Sequence, residues 1–120
     1  MTTAWNVLAR FRQFINISDE EAEKILPLCV VNLRRIQAQL RSDADANDIR
    51  IQEAAACLTY YDYTVRLSSE TDDVTSFKAG DITVSKTTSS LTENAEKMKK
   101  DALLELTPLM KDTQFVFLNI

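Results

Sequence analysis

Phe77-Lys78-Ala79-Gly80-Asp81-Ile82-Thr83-Val84-Ser85 is the interior stretch of this chain that reads least like helix. It holds the only glycine and alternates apolar with polar residues from Ile82 to Ser85, the period-two pattern of an extended chain. Polar clusters bound it, Ser68 to Ser76 upstream and Lys86 to Ser90 downstream. The pattern predicts a short extended or hairpin-like arm over 70–89, with Gly80 as its bend. Phe77, Ala79, Ile82 and Val84 put apolar groups on a segment with little core of its own, so they need a partner surface in the chain or in another subunit.

Outward from the arm, the chain reads as helix. It has 120 residues, the length of one domain. Apolar residues make up 45% of it, enough for a modest core, and 1 Gly and 2 Pro suit long helices with few tight turns. The net charge is -4, from 14 basic and 18 acidic residues with no basic run beyond Arg34-Arg35 and Lys99-Lys100. A grip on nucleic acid through phosphate neutralisation needs a basic stripe, so tight DNA binding is disfavoured, while passage of DNA through a wide channel is compatible with this charge. No apolar run approaches the roughly 20 residues that span a bilayer. Residues 1–17, with Arg10 and Arg12 inside the apolar part, do not read as a secretory leader.

Four helices are expected in one mainly α domain over 1–120, divided as 1–16, two long helices within 18–69, the arm at 70–89, a helix at 90–112 and an extended tail at 113–120. In the first, Trp5, Leu8, Phe11 or Arg12, and Ile15 recur at helical spacing with Phe14 beside them and Thr2 or Thr3 as cap, an aromatic-rich helix that packs on its own domain or on a neighbour. Ser18-Asp19-Glu20-Glu21 is a capping-box start with acids at the positive helix end. Ile25, Leu28, Cys29, Leu33, Ile36 and Leu40 then mark one face, and Pro27 predicts a kink near Glu23 and Lys24 or two helical pieces. Asp45 or Asn47 caps the third helix, which runs to about Leu67. Its buried side is Ala54, Ala55, Cys57, Leu58, Tyr61 and Val65, with three small residues at Ala54 to Ala56 that let another helix come close. Of Tyr60, Tyr61 and Tyr63, at least one belongs to the core and the rest to half-exposed packing. Ser90-Leu91-Thr92-Glu93 is a second capping box. It opens a helix with the stripe Leu91, Ala95, Met98, Ala102, Leu106 and Leu109, which Pro108 ends or bends.

Much chemistry is excluded. There is no histidine, hence no His-based triad or His metal site. One glycine cannot build a phosphate-binding loop or a dinucleotide fingerprint. Asp43, Asp45, Asn47 and Asp48 mimic a calcium loop, but the glycine is missing and Ala54 stands at the twelfth position, so capping is the expected role. Asp72-Asp73 reads as a solvated loop. Cys29 and Cys57 sit in apolar helical patterns without C-x-x-C spacing and read as buried free thiols of a reducing compartment. No catalytic, cofactor-binding or metal-binding residues are assigned, and an enzyme is not expected. The tail Phe115-Val116-Phe117-Leu118-Asn119-Ile120 is apolar and β-prone. It either packs back on the helices or is donated to a partner.

The order of these pieces resembles the small head–tail connector, or head-completion, proteins of long-tailed double-stranded DNA bacteriophages and their prophages. The resemblance covers roughly 18–118. It is carried by Ile17 to Glu21, by Ala54 to Tyr61, most specifically by Thr75 to Ser85, and by Leu106 to Phe117. It implies a mainly helical subunit of a ring beneath the portal, commonly twelve-fold, that extends the DNA channel and joins capsid to tail. The implied partners are the portal, neighbouring subunits and a stopper or tail-completion protein. DNA passes through non-specifically, no membrane takes part, and the subunit, a homo-oligomer in the assembled particle, can be monomeric before assembly. The implied location is the bacterial cytoplasm during assembly, then the virion neck. Phe77, Gly80, Ile82, Val84, Phe115 and Phe117 are the suspected assembly contacts. The alternative reading is a soluble helical interaction or regulatory module, acting as monomer or dimer, with arm and tail folded back on its own helices.

Overall fold

The computed structural model describes residues 2–75 and 81–111, with side chains over 2–67 and 91–111. It is a helical bundle: α1 (Ala4–Phe14), α2 (Asp19–Gln37), α3 (Ile49–Thr75) and α4 (Asp81–Leu106), followed by a single 3-10 turn at Thr107–Leu109. Among the described residues there is no strand, only one isolated antiparallel bridge between Leu40 and Met110.

Helix starts follow the side chains that cap them. Thr3 precedes α1, and its hydroxyl accepts from Asn6 N–H (3.3 Å) while Asn6 Oδ1 accepts from Thr3 N–H (2.9 Å). Two otherwise orphaned donors are satisfied reciprocally. Ser18 caps α2 by accepting from Glu21 N–H at 3.2 Å, with Asp19, Glu20 and Glu21 in the first turn. Ile17 and Ala22, on either side of this cap, are both buried. The cap before α3 is Asp48 rather than Asp45 or Asn47. Its carboxylate accepts from Arg50 N–H at 2.9 Å, while Asp45 closes a smaller turn by accepting from Asn47 N–H at 2.9 Å.

Pro27 does not divide α2, which runs unbroken from Asp19 to Gln37. Pro27 and Glu23 both lie on the exposed side, where water can satisfy the carbonyl that loses its donor.

The centre of the expected 70–89 arm, 76–80, lies outside the described residues, and helix is described on both sides of it. α3 continues to Thr75, carrying Asp72 and Asp73 in helix rather than loop, and α4 begins at Asp81, so Ile82 to Ser85 are helical. Ser90 to Glu93 lie inside α4 and do not cap it. An alternating segment without a partner strand leaves its backbone groups unpaired, and an isolated two-stranded hairpin is marginal. Continuing the helix satisfies those groups locally.

α3 is the central element. Thr2 N–H donates to Ala46 O (3.2 Å) and Arg10 Nε to Glu53 (2.6 Å), so α1 runs alongside α3 in the same direction. Asn32 on α2 reaches Thr59, and Thr64 O on α3 accepts from Thr92 Oγ1 on α4 at 3.5 Å. Lys99 on α4 stands over the Tyr61 ring at 4.0 Å from its centroid. Residues later in α4 thus meet residues earlier in α3, an antiparallel pairing. Enclosed on these sides, α3 is buried continuously from Ala54 to Tyr60.

The core joins Val7, Leu8 and Phe11 of α1 to Ile25, Cys29, Leu33 and Ile36 of α2, with Ala95, Ala102, Leu103 and Leu106 from α4. Phe11 packs edge-on to Tyr60 and Tyr63, with ring centroids 6.3 and 5.5 Å away, a favoured aromatic geometry. Burying such a ring stabilises by about 1.5–3 kcal/mol. Tyr60 is the core tyrosine, while Tyr61 and Tyr63 are half-buried. After α4, Pro108 enters the 3-10 turn. Arg41 N–H then donates to Leu109 O and Lys111 N–H to Gln39 O, each at 2.8 Å, which closes the end of α4 onto the α2–α3 connection.

Candidate functional site

The suspected assembly contacts fall where little is described. Phe77, Gly80, Phe115 and Phe117, together with the 113–120 tail, lie outside the described residues. Ile82 and Val84 lie in the first turn of α4, their side chains outside the description.

A different surface stands out among the described residues. Trp5 is 67% exposed and Ile49 is 66% exposed. The Arg10–Glu53 ion pair fixes the register of α1 against α3, and one helical turn back from it lie Asn6 and Ile49. Trp5 and Ile49 therefore occupy the same end of the molecule, where both helices begin. Two residues further along each helix, and so on its opposite side, Val7 and Ile51 are fully buried. Trp5 shares the helical spacing of Leu8, yet the buried residues of α1 are Val7, Leu8 and Phe11. A single apolar residue one position off the stripe gives no signal of this kind before the neighbours are known.

This end is firmly held. Arg10 donates from Nε and Nη2 to the two carboxylate oxygens of Glu53 (2.6 and 3.2 Å), and its guanidinium lies 4.7 Å from the Phe14 ring centroid. The bond to Glu53 raises the Arg10 pKa further. The fork geometry fixes orientation as well as distance. Arg50 Nη2 donates to Asp48 at 2.9 Å, and bonds from the Arg50 side chain and backbone lower the Asp48 pKa to about 2.

Buried polarity lies deeper, between α2 and α3. Asn32 is buried and donates from Nδ2 to Thr59 Oγ1 (3.1 Å) and to Asp62 Oδ2 (3.2 Å), while its Oδ1 accepts from Arg35 (3.3 Å). Thr59 Oγ1 in turn donates to Ala55 O at 2.8 Å. Every polar atom of Asn32 is thus used, as burial requires. This network is structural: it sets the register of α2 on α3.

Both cysteines are free and buried. Burial pushes the Cys29 thiol up to about 11 and the Cys57 thiol up to about 12, the latter helped by the charge of Glu53. Such thiols stay protonated and are poor nucleophiles. Cys57 lies at the base of a shallow groove of about 180 Å³ shared with Glu53, Asp101 and Glu105. Among the described residues no group of three or more acidic or thiol side chains is placed to hold a metal ion, and no helix is long and apolar enough to cross a membrane. A second cleft, about 220 Å³, lies between Lys24 and Glu21 of α2 and Tyr63 and Arg66 of α3.

No family model matches this chain, and searches of curated proteins and of solved structures return no match.

Proposed function

We propose that this chain is a structural connector of a long-tailed phage or prophage, a subunit of a ring that sits under the portal, joins capsid to tail and extends the DNA channel. The observation that carries the reading is the exposed Trp5 and Ile49 at one firmly held end of the bundle. Large exposed side chains of this kind suit burial against a second protein. The acidic balance suits a conduit through which DNA moves without being held. In this reading Phe77, Gly80, Ile82, Val84, Phe115 and Phe117 supply further contacts with neighbouring subunits, portal and stopper. The protein works in the host cytoplasm during assembly and in the virion neck afterwards.

The test is mass measurement and electron microscopy of the purified chain, alone and mixed with the portal protein of the same genome. A ring on the portal is expected, and Trp5→Ala together with Ile49→Ser should abolish it while the circular dichroism stays helical. Ile82→Asp with Val84→Asp tests the arm in the same assay. Unchanged docking by both double variants would remove the reading.

The second reading, a helical interaction module acting as monomer or dimer, draws support from the Leu40–Met110 bridge, which ties the chain back to the bundle just before its apolar tail. Amide exchange separates the two. Strong protection of 77–85 and 115–119 in the isolated protein favours the module, and protection gained only on portal favours the connector.

A further inference from the structure

The outward face of α2 carries a pattern that the fold does not use. Glu20, Glu23, Pro27, Val31, Arg34 and Ala38 recur at spacings of three and four, so they form one stripe along the helix, and all are exposed. Val31 is 52% exposed at the middle of this stripe, next to Pro27. Acids occupy its N-terminal end and Arg34 its C-terminal end. The helix dipole favours that placement of charge, but it gives no reason for an apolar centre facing water. Of the neighbouring charges, Asp19 pairs with Arg12, Arg35 bonds Asn32, and the exposed Lys24 borders the stripe while lining the cleft it shares with Glu21, Tyr63 and Arg66.

A stripe that is acidic at one end, apolar in the middle and basic at the other is complementary to itself when reversed. We infer that α2 pairs two copies of this chain through an antiparallel, two-fold contact, with Pro27 of one copy against Val31 of the partner subunit and Glu23 against Arg34 of the partner subunit. The two-fold axis passes between Pro27 and Val31 and makes each of these contacts twice, as an isologous interface demands. The small Ala38 meets Glu20 at the rim. Opposite charges set the direction of the pairing, because a parallel arrangement puts Glu23 against Glu23 and Arg34 against Arg34. The inference is independent of the ring reading, since a closed ring joins two different faces of each subunit and this contact joins one face to itself.

Sedimentation velocity on the full chain, from low micromolar to near millimolar, tests the contact. The expected result is a reversible species of twice the 13.6 kDa chain mass. Val31→Asp should raise its dissociation constant at least tenfold with the helical spectrum unchanged. Glu23→Lys and Arg34→Glu should each weaken self-association, and mixing the two variants should restore a mixed dimer. Trp5→Ala should leave the dimer intact. A wild-type chain that stays monomeric throughout overturns the inference, as does a dimer that survives Val31→Asp or is lost with Trp5→Ala. Failure of the mixed variants to pair overturns its antiparallel direction.

Discussion

Asn32 on α2 donates to the Thr59 hydroxyl on α3 across 3.1 Å, at a point where both side chains are out of contact with water. This bond and its branches to Asp62 and Arg35 make the α2–α3 register specific, because sliding either helix by one residue leaves a buried amide unsatisfied. An unsatisfied buried polar group costs about 1–3 kcal/mol.

Truncating this amide is therefore costly. Asn32→Ala is predicted to lower the unfolding free energy by about 2–3 kcal/mol, through loss of the bonds and a small cavity. Thr59→Val removes the other partner. In a denaturant double-mutant cycle the pair should fall short of additivity by at least about 0.5 kcal/mol. Full additivity would show that the two side chains do not act together.

The thiols give an alkaline limit. The pKa of Cys29 is raised from 9.0 to about 11 and that of Cys57 from 9.0 to about 12, chiefly by burial. A raised folded-state value means that the thiol contribution is fully present below the unfolded value and is lost as pH climbs toward the folded one. Stability should fall between about pH 9 and 12, and Cys29→Ala with Cys57→Ala should flatten that fall. At neutral pH an aromatic disulfide reagent should label both thiols only as fast as the protein opens. Rapid labelling of either in native buffer would contradict its burial.

Asp48 sets an acid limit. Bonds from Arg50 lower its pKa to about 2. A lowered value means a contribution present above the unfolded carboxyl pKa, about 3.9, and lost as pH falls through the folded one. Carboxyl carbon shifts should report this titration near pH 2. Asp48→Ala should remove the acid-dependent component and lower the melting temperature, while Asp48→Asn keeps the cap and loses only the ion pair.

The Arg10–Glu53 pair is half-exposed, at 35% and 31% of the side-chain surfaces, so solvent screens it. Glu53→Gln is predicted to cost no more than about 1 kcal/mol, and the cost should shrink in high salt. Arg10→Ala should cost somewhat more, because it also removes the guanidinium from the Phe14 ring, and that part should persist in salt.

Ala55 on the central helix is fully buried. Ala55→Leu forces extra volume into a site enclosed by neighbouring helices, and a loss of about 1–3 kcal/mol is expected in thermal or denaturant unfolding. A neutral result would mean that the helices around it can separate without cost.

Several features were legible in residue order because the physics behind them is local. Ser18 and Thr3 cap because their hydroxyls reach backbone donors within three residues. The stripe of Ala95, Ala102 and Leu106 follows from helical period alone. One tyrosine in the core also followed from the crowding of Tyr60, Tyr61 and Tyr63 on one helix. Other features needed the packed neighbours. Val65 was read on the buried side of α3 and is exposed, and Asn32 was passed over yet lies in the core. Period tells which residues share a face, but only the position of the adjacent helix decides which part of that face is covered. The segment over 82–85 alternates like a strand, yet it lies within α4, where each backbone group finds its hydrogen-bond partner in the same helix. The pairing of Gln39 and Arg41 with Leu109 and Lys111 joins residues about seventy positions apart. Residue order determined the caps of α1 and α2 and the apolar periods of the helices, because both are local, while tertiary contact decided which apolar side chains are left facing water.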